Sequence, residues 1–213
     1  MTSQRRSTTF NPKNSFVNTR YINPRFTGSQ PGARDAKIEI RNNVLDVIGP
    51  DAAVFDAFGG AGEMYRAVWS KARRYVGVDL EWHADGREMF VGDNQRVLRT
   101  IDLDQFNIFY FDACGSPWEA IVIMLARRTP LRPNERFGLV ITDGSQTTLS
   151  IGHMPKGLAA LGGLNGAAVA TTHARSVEAY QNLFARAVNA TALRSNGVIK
   201  QTWRAFGARQ LTT

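Results

Sequence analysis

Apolar residues along the chain fall into short continuous runs that alternate with stretches of helical spacing. The runs at 52–58 (AAVFDAF), 74–80 (RYVGVDL), 88–93 (EMFVGD), 107–112 (NIFYFD) and 136–144 (RFGLVITDG) predict five strands. Runs that are apolar throughout, without in–out alternation, belong to strands covered on both faces. Between them, apolar positions three and four apart predict helices: one through Met64, Val68 and Trp69, a short one at 97–101, and one over 117–128. The last opens on Pro117, a residue favoured in a first turn. A helix at 34–48, with Ile38, Val44, Leu45 and Ile48 on one side, precedes the first strand and ends at GPD, 49–51. Another helix spans 176–193. Alternating strands and helices predict an α/β fold with a mostly parallel, doubly covered sheet. The closing GVIKQTWRAFGARQLTT reads as two strands around a glycine turn, an antiparallel hairpin.

Two segments break the rhythm. Residues 144–172 hold six glycines and little periodicity, and predict a long loop of the functional or mobile kind. Residues 1–34 are polar and rich in Ser, Thr, Asn, Pro and Arg, and predict a largely irregular arm before a single domain at 35–213.

Charge adds to the picture through its distribution. The arm carries six basic side chains and no acid, and residues 171–213 carry six basic and one acid. The body between, 35–170, has 14 basic and 17 acidic residues, so the positive charge lies on the flanks. Basic flanks interleaved with aromatics (Phe10, Phe16, Tyr21, Phe26) suit nucleic acid, RNA or DNA, by phosphate pairing and base stacking; a solvated tail explains the same charges more plainly. One cysteine excludes an internal disulfide, and Cys114 with His83, His153 and His173 shows no metal-ligand spacing. The apolar runs are too short to span a bilayer, and MTSQRRSTTF lacks the apolar stretch of a signal peptide. A cytoplasmic protein with no membrane partner is the expectation.

The glycine turn DAFGGAGE, 56–63, follows a strand and opens a helix. Gly60 and Gly62 allow a ligand close to the backbone, and Asp79 ends the next strand, where an acid accepts bonds from ribose hydroxyls. Tyr65 stands where the dinucleotide fingerprint has its third glycine. Asp56, Phe58, Gly60 and Gly62 resemble the D-x-F-x-G-x-G pattern of class I S-adenosylmethionine-dependent methyltransferases, particularly those acting on exocyclic amines of nucleic-acid bases. The resemblance implies a Rossmann-like fold, S-adenosyl-L-methionine as cofactor, and a loop of Asp56, Phe58, Gly60 and Gly62 around its methionine part. It also implies Asp79 on the ribose and Asp93 on the adenine amine, with Asn94 capping the next helix. Each acid has a structural alternative: Asp56 bonding backbone N–H groups, Asp79 and Asp93 capping helices, and Phe58 in the core.

The fourth strand ends in FDACGSPW, 111–118. Here the chain is similar to the tRNA guanine-26 dimethyltransferase family, whose strand ends D-P-F-G-S-P. Asp112, Gly115, Ser116 and Pro117 match, and Ala113 and Cys114 depart. VITDGSQTTLSIG is also similar to that family's fifth strand, so the likeness spans about residues 52–152. It implies that Asp112 is catalytic, accepting hydrogen bonds from the target amine, and that Cys114, Pro117 and Trp118 line the substrate pocket. The target base would be turned out of its stack. Trp118 equally suits the core, and Ser116 suits a helix N-cap. Cys114 admits a nucleophilic role like that in cytosine carbon-5 methyltransferases, against a buried structural cysteine. Arg25 and Tyr21 of the arm could reach the cofactor site, and His153 and Lys156 a substrate phosphate. Three other functions stay open: a non-catalytic nucleic-acid-binding protein on this scaffold, a methyltransferase for a small molecule or protein, and a nicotinamide-dependent oxidoreductase.

Overall fold

A computed structural model describes residues 19–21, 31–144, 153–164 and 177–204. Five strands form one all-parallel sheet: β2 (Ala53–Asp56), β3 (Arg74–Asp79), β4 (Met89–Val91), β5 (Ile108–Asp112) and β6 (Gly138–Thr142). Their order is β4-β3-β2-β5-β6, with Val54 paired to Tyr75 on one side and Ile108 on the other. Sheet order therefore reverses between β2 and β5, and the crevice beyond their C-terminal ends is where doubly wound sheets bind ligands. The alternation of apolar runs and helices is thus confirmed as a parallel α/β sheet of Rossmann-like type.

Both faces are covered over the central strands β2, β3 and β5, which is why these lack alternation, while edge strand β4 leaves Phe90 and Val91 exposed. On one face lie α1 (Pro31–Ile48), α2 (Glu63–Ala67) and a short 3-10 turn at Trp69–Lys71. Val44, Leu45 and Ile48 pack there with Val54, Trp69, Tyr75, Ile108 and Tyr110. On the other lie α3 (Asn94–Thr100), α4 (Trp118–Arg127), α5 (Lys156–Gly162) and α6 (Val177–Arg194). Phe55, Phe106, Phe109, Phe111 and Trp118 lead that second core. Phe55 tilts against Phe106 and Phe109, with centroids 5.4 and 5.9 Å away. Tilted rings of this kind favour edge-to-face contact over sandwich stacking.

Three elements differ from the sequence expectation. Part of the expected loop at 144–172 is helix: α5 seats Gly157 on the start of α4, where a Cβ would stand 2.5 Å from Trp118 O. Its short length and two glycines hid the periodicity. The expected antiparallel C-terminal hairpin is not shown among the described residues. Residues 198–200 form no strand, and β7 (Thr202–Arg204) pairs in parallel with β1 (Thr19–Tyr21), Arg20 opposite Trp203. The remainder of the expected hairpin, 205–213, lies outside the described residues. The arm expected to be irregular supplies β1 and the first turn of α1, which starts at Pro31. The two basic flanks thus meet in one small sheet. Among the described residues, no helix is long and apolar enough to cross a membrane.

Candidate functional site

The glycine turn is fixed by its neighbours on both sides. Ala57 N–H donates to Tyr110 O at 3.0 Å and Gly59 N–H to Val78 O at 2.8 Å. Gly60 N–H donates to Asp79 Oδ2 at 2.7 Å, and Glu81 N–H to Asp79 Oδ1 at 3.0 Å. Asp79 is half-buried, and each oxygen keeps a second acceptor position. Gly60 has φ +47°, and a Cβ there would meet only Phe58 O, at 3.9 Å, so the space in front of it is open. Next to Asp79, Leu80 and Trp82 stand 75 % and 65 % exposed. Two acceptors and an open glycine backbone suit a nucleoside, and two exposed apolar residues follow Asp79 in the chain.

Arg87, which the sequence reading missed, locks this turn from behind. Its side chain is fully buried, and Nη1 and Nη2 donate to Gly59 O and Gly60 O, both at 2.8 Å. Nε donates to Asp85 Oδ1 at 2.8 Å. That bond holds the Asp85 carboxyl below the usual range. Gly62 has φ +75°, a left-handed conformation that glycine tolerates and other residues resist.

Asp56 is buried at the end of β2, where its Oδ1 accepts the Phe58 N–H at 3.0 Å and its Oδ2 the Tyr75 hydroxyl at 2.8 Å. Burial pushes its pKa up to about 7, against the pull of those two bonds. The role observed is the backbone-bonding alternative. Phe58 is half-buried and packs on the core beneath the turn.

Asp112 closes β5 on the α1 face. Lys37 Nζ lies 2.7 Å from Oδ1 and 2.9 Å from Oδ2. The Tyr110 hydroxyl also donates to Oδ2, and Arg41 Nη2 stands 3.4 Å from it while donating to Tyr110 Oη at 2.6 Å. Burial opposes ionisation of Asp112, but the charge and hydrogen bond of Lys37, then Tyr110 and Arg41, outweigh it and keep the carboxyl below its usual range. Burial and the nearby carboxylates Asp112 and Asp56 push the Tyr110 phenol up, against the charge of Arg41. The signal for this network was present but unused: Lys37 and Arg41 sit four apart in the stripe that continues to Val44, Leu45 and Ile48.

Other expected site residues fall elsewhere. Asp93 is exposed and caps α3, accepting the Arg96 N–H at 2.9 Å. An acid before a helix carries the same signal for capping as for adenine contact, and capping is what it does here. Asn94 turns inward, its Nδ2 donating to Ala57 O at 3.1 Å, so it braces the glycine turn. Trp118 is fully buried against Phe184, with Nε1 donating to Asp143 Oδ2 at 2.9 Å; it is core and not pocket wall. Asp143 also accepts the Tyr180 hydroxyl at 2.6 Å. Pro117 is buried, and Ser116 accepts the Trp118 N–H and donates to Glu119 Oε2 at 2.6 Å, completing a helix start. Cys114 is exposed, which removes the alternative of a buried structural cysteine. His153 and Lys156 are exposed at the start of α5; Arg25 and the side chain of Tyr21 lie outside the described residues. Among the described residues, no group of His, Cys, Asp or Glu could hold a metal ion.

Comparison with known protein families, characterised proteins and solved structures gives no match. The chemistry of the site stands on its own residues.

Proposed function

We propose that this protein is an S-adenosylmethionine-dependent methyltransferase acting on a nitrogen of a nucleic-acid base, RNA in preference to DNA. One observation carries the reading: the open glycine turn, the Asp79 acceptors and the Asp112 carboxylate share the C-terminal edge of the sheet at its reversal point. When bound, S-adenosylmethionine supplies an electrophilic methyl group on sulfur.

The chain's own residues do the rest. Asp79 accepts the ribose hydroxyls on its two free positions, with Leu80 and Trp82 beside the purine. Gly60 leaves backbone room for the amino-acid end. Asp112 accepts an N–H of the target amine on Oδ1, which carries one donor, Lys37, where Oδ2 carries three. That bond aims the nitrogen lone pair. Asp112, held ionised in the free protein by Lys37, Tyr110 and Arg41, orients the amine, and the proton leaves to solvent. The basic flanks hold the phosphates; one short segment of each, Thr19–Tyr21 and Thr202–Arg204, pairs with the other.

The reading is tested by incubating the protein with labelled cofactor and, separately, total tRNA, ribosomal RNA and unmodified DNA, followed by nucleoside analysis. Label in an N-methylated nucleoside supports it. Calorimetry accompanies it: Asp79→Ala should weaken S-adenosylhomocysteine binding by roughly 1–3 kcal/mol, the cost of unpaired hydroxyls. Preference for a nicotinamide dinucleotide would overturn the cofactor assignment.

A further inference from the structure

Lys37 is the one member of the Asp112 network placed to change partners. Tyr110 and Arg41 are buried at 1 % and 2 % exposure, so their hold on Asp112 Oδ2 is fixed. The Lys37 side chain is 37 % exposed, against 17 % for Asp112. An ammonium on a flexible four-carbon stem, already in partial contact with water, exchanges its acceptor readily. While it sits on Asp112 it cancels the field that the carboxylate presents to an amine. Methyl transfer builds positive charge on that amine, so a lysine left in place opposes the reaction, and one drawn away favours it.

We infer that Lys37 is a specificity-determining residue: a backbone phosphate flanking the target base draws its ammonium off Asp112, so that Asp112 is exposed to the amine only when the base arrives as part of a polynucleotide. The inference rests on the nucleic-acid reading above and adds to it a rejection of free bases and nucleosides. In the free protein Lys37 is neutralised by Asp112; in the complex it becomes a phosphate contact and releases a counterion.

The experiment is the salt dependence of binding to a short mixed-sequence single-stranded RNA, without cofactor, for the wild type, Lys37→Met and Lys37→Arg. Each phosphate contact on a single strand contributes about 0.7 to the slope of log K against log salt. Lys37→Met should lose about that much slope and Lys37→Arg should keep it. In an Asp112→Asn background Lys37 has no carboxylate to leave, so Lys37→Met should weaken binding several-fold more than it does in the wild type. Lys37→Gln gives the same reading if the Met variant folds poorly. A wild-type slope in Lys37→Met, or equal losses in the two backgrounds, overturns the inference while leaving the nucleic-acid reading intact. Absence of RNA binding by the wild type overturns both.

Discussion

Arg87 and Gly62 share one volume: a Cβ on Gly62 would stand 2.6 Å from Arg87 Cζ and 2.8 Å from Nε. The guanidinium fills the space that a side chain at 62 would need, and from there it holds the carbonyls of Gly59 and Gly60. The turn is thus shaped by a residue on the β3–β4 connection as well as by its own glycines. Arg87→Ala should cost about 2–4 kcal/mol, because two part-buried carbonyls and Asp85 lose a charged donor whose own side chain is fully buried. Gly62→Ala should cost about 3 kcal/mol in the wild type, from left-handed strain plus the clash. With Arg87 already removed, the clash with the guanidinium goes and the cost should fall towards the strain of about 1–2 kcal/mol, with Asp85 Oδ2, 2.7 Å from that Cβ, the remaining close contact. Urea unfolding of the two single variants and the double gives the coupling directly; strict additivity would mean that the two residues do not compete for this space.

The central strands were legible because burial on both faces writes itself as continuous apolar runs. The glycine turn was legible because Gly60 and Gly62 sit at positive φ, which few other residues accept. The polar network was not. Arg41 reaches Tyr110 across 69 positions and Lys37 reaches Asp112 across 75, distances at which local pattern carries no information. Val198 misled in the other direction: its apolar side chain suggested a strand, yet it is 77 % exposed and unpaired as a strand.

Asp56 makes stability depend on pH. Its pKa is raised by burial from 3.8 to about 7, so between those values the native state holds a proton that the unfolded chain has released. The stabilisation is fully present below 3.8 and is lost as pH rises through about 7. Asp112 has the opposite sign, and its contribution is lost only as pH falls below the ordinary carboxylate range. Asp56→Asn should therefore flatten the fall in unfolding free energy between about pH 4 and 7, a span of about 2–4 kcal/mol in the wild type. Urea midpoints across that range check it. An identical slope in the variant would place the titration elsewhere.

Asp143 joins three elements: β6 leads into it, Trp118 of α4 and Tyr180 of α6 both donate to its Oδ2. Tyr180→Phe removes one donor and should cost about 1 kcal/mol. Asp143→Ala strands two buried donors together and should cost about 2–4 kcal/mol. Thermal unfolding followed by tryptophan fluorescence ranks the two. If Asp143→Ala proves no worse than Tyr180→Phe, Asp143 is not the joint between α4, α6 and the sheet.

Asp112 and Cys114 stand two residues apart, and they support different chemistries. Asp112→Ala confuses the question, since it leaves Arg41, 2 % exposed, without its carboxylate and should destabilise the fold by about 2–4 kcal/mol. Asp112→Asn keeps the shape and an acceptor oxygen but removes the charge that favours an amine becoming positive. Its kcat/KM should fall by about 10²-fold with cofactor affinity unchanged, the loss expected when a group that stabilises developing charge is removed. Cys114→Ser should keep its rate, because an exposed thiol that orients nothing contributes nothing to transfer at nitrogen. The reverse result, an active Asp112→Asn and a dead Cys114→Ser, would move the reaction from nitrogen to carbon: the thiolate would then attack the base ring, and a covalent protein–RNA adduct trapped on a 5-fluoropyrimidine would follow. Rate, calorimetry and adduct formation on the same three proteins decide between the two centres.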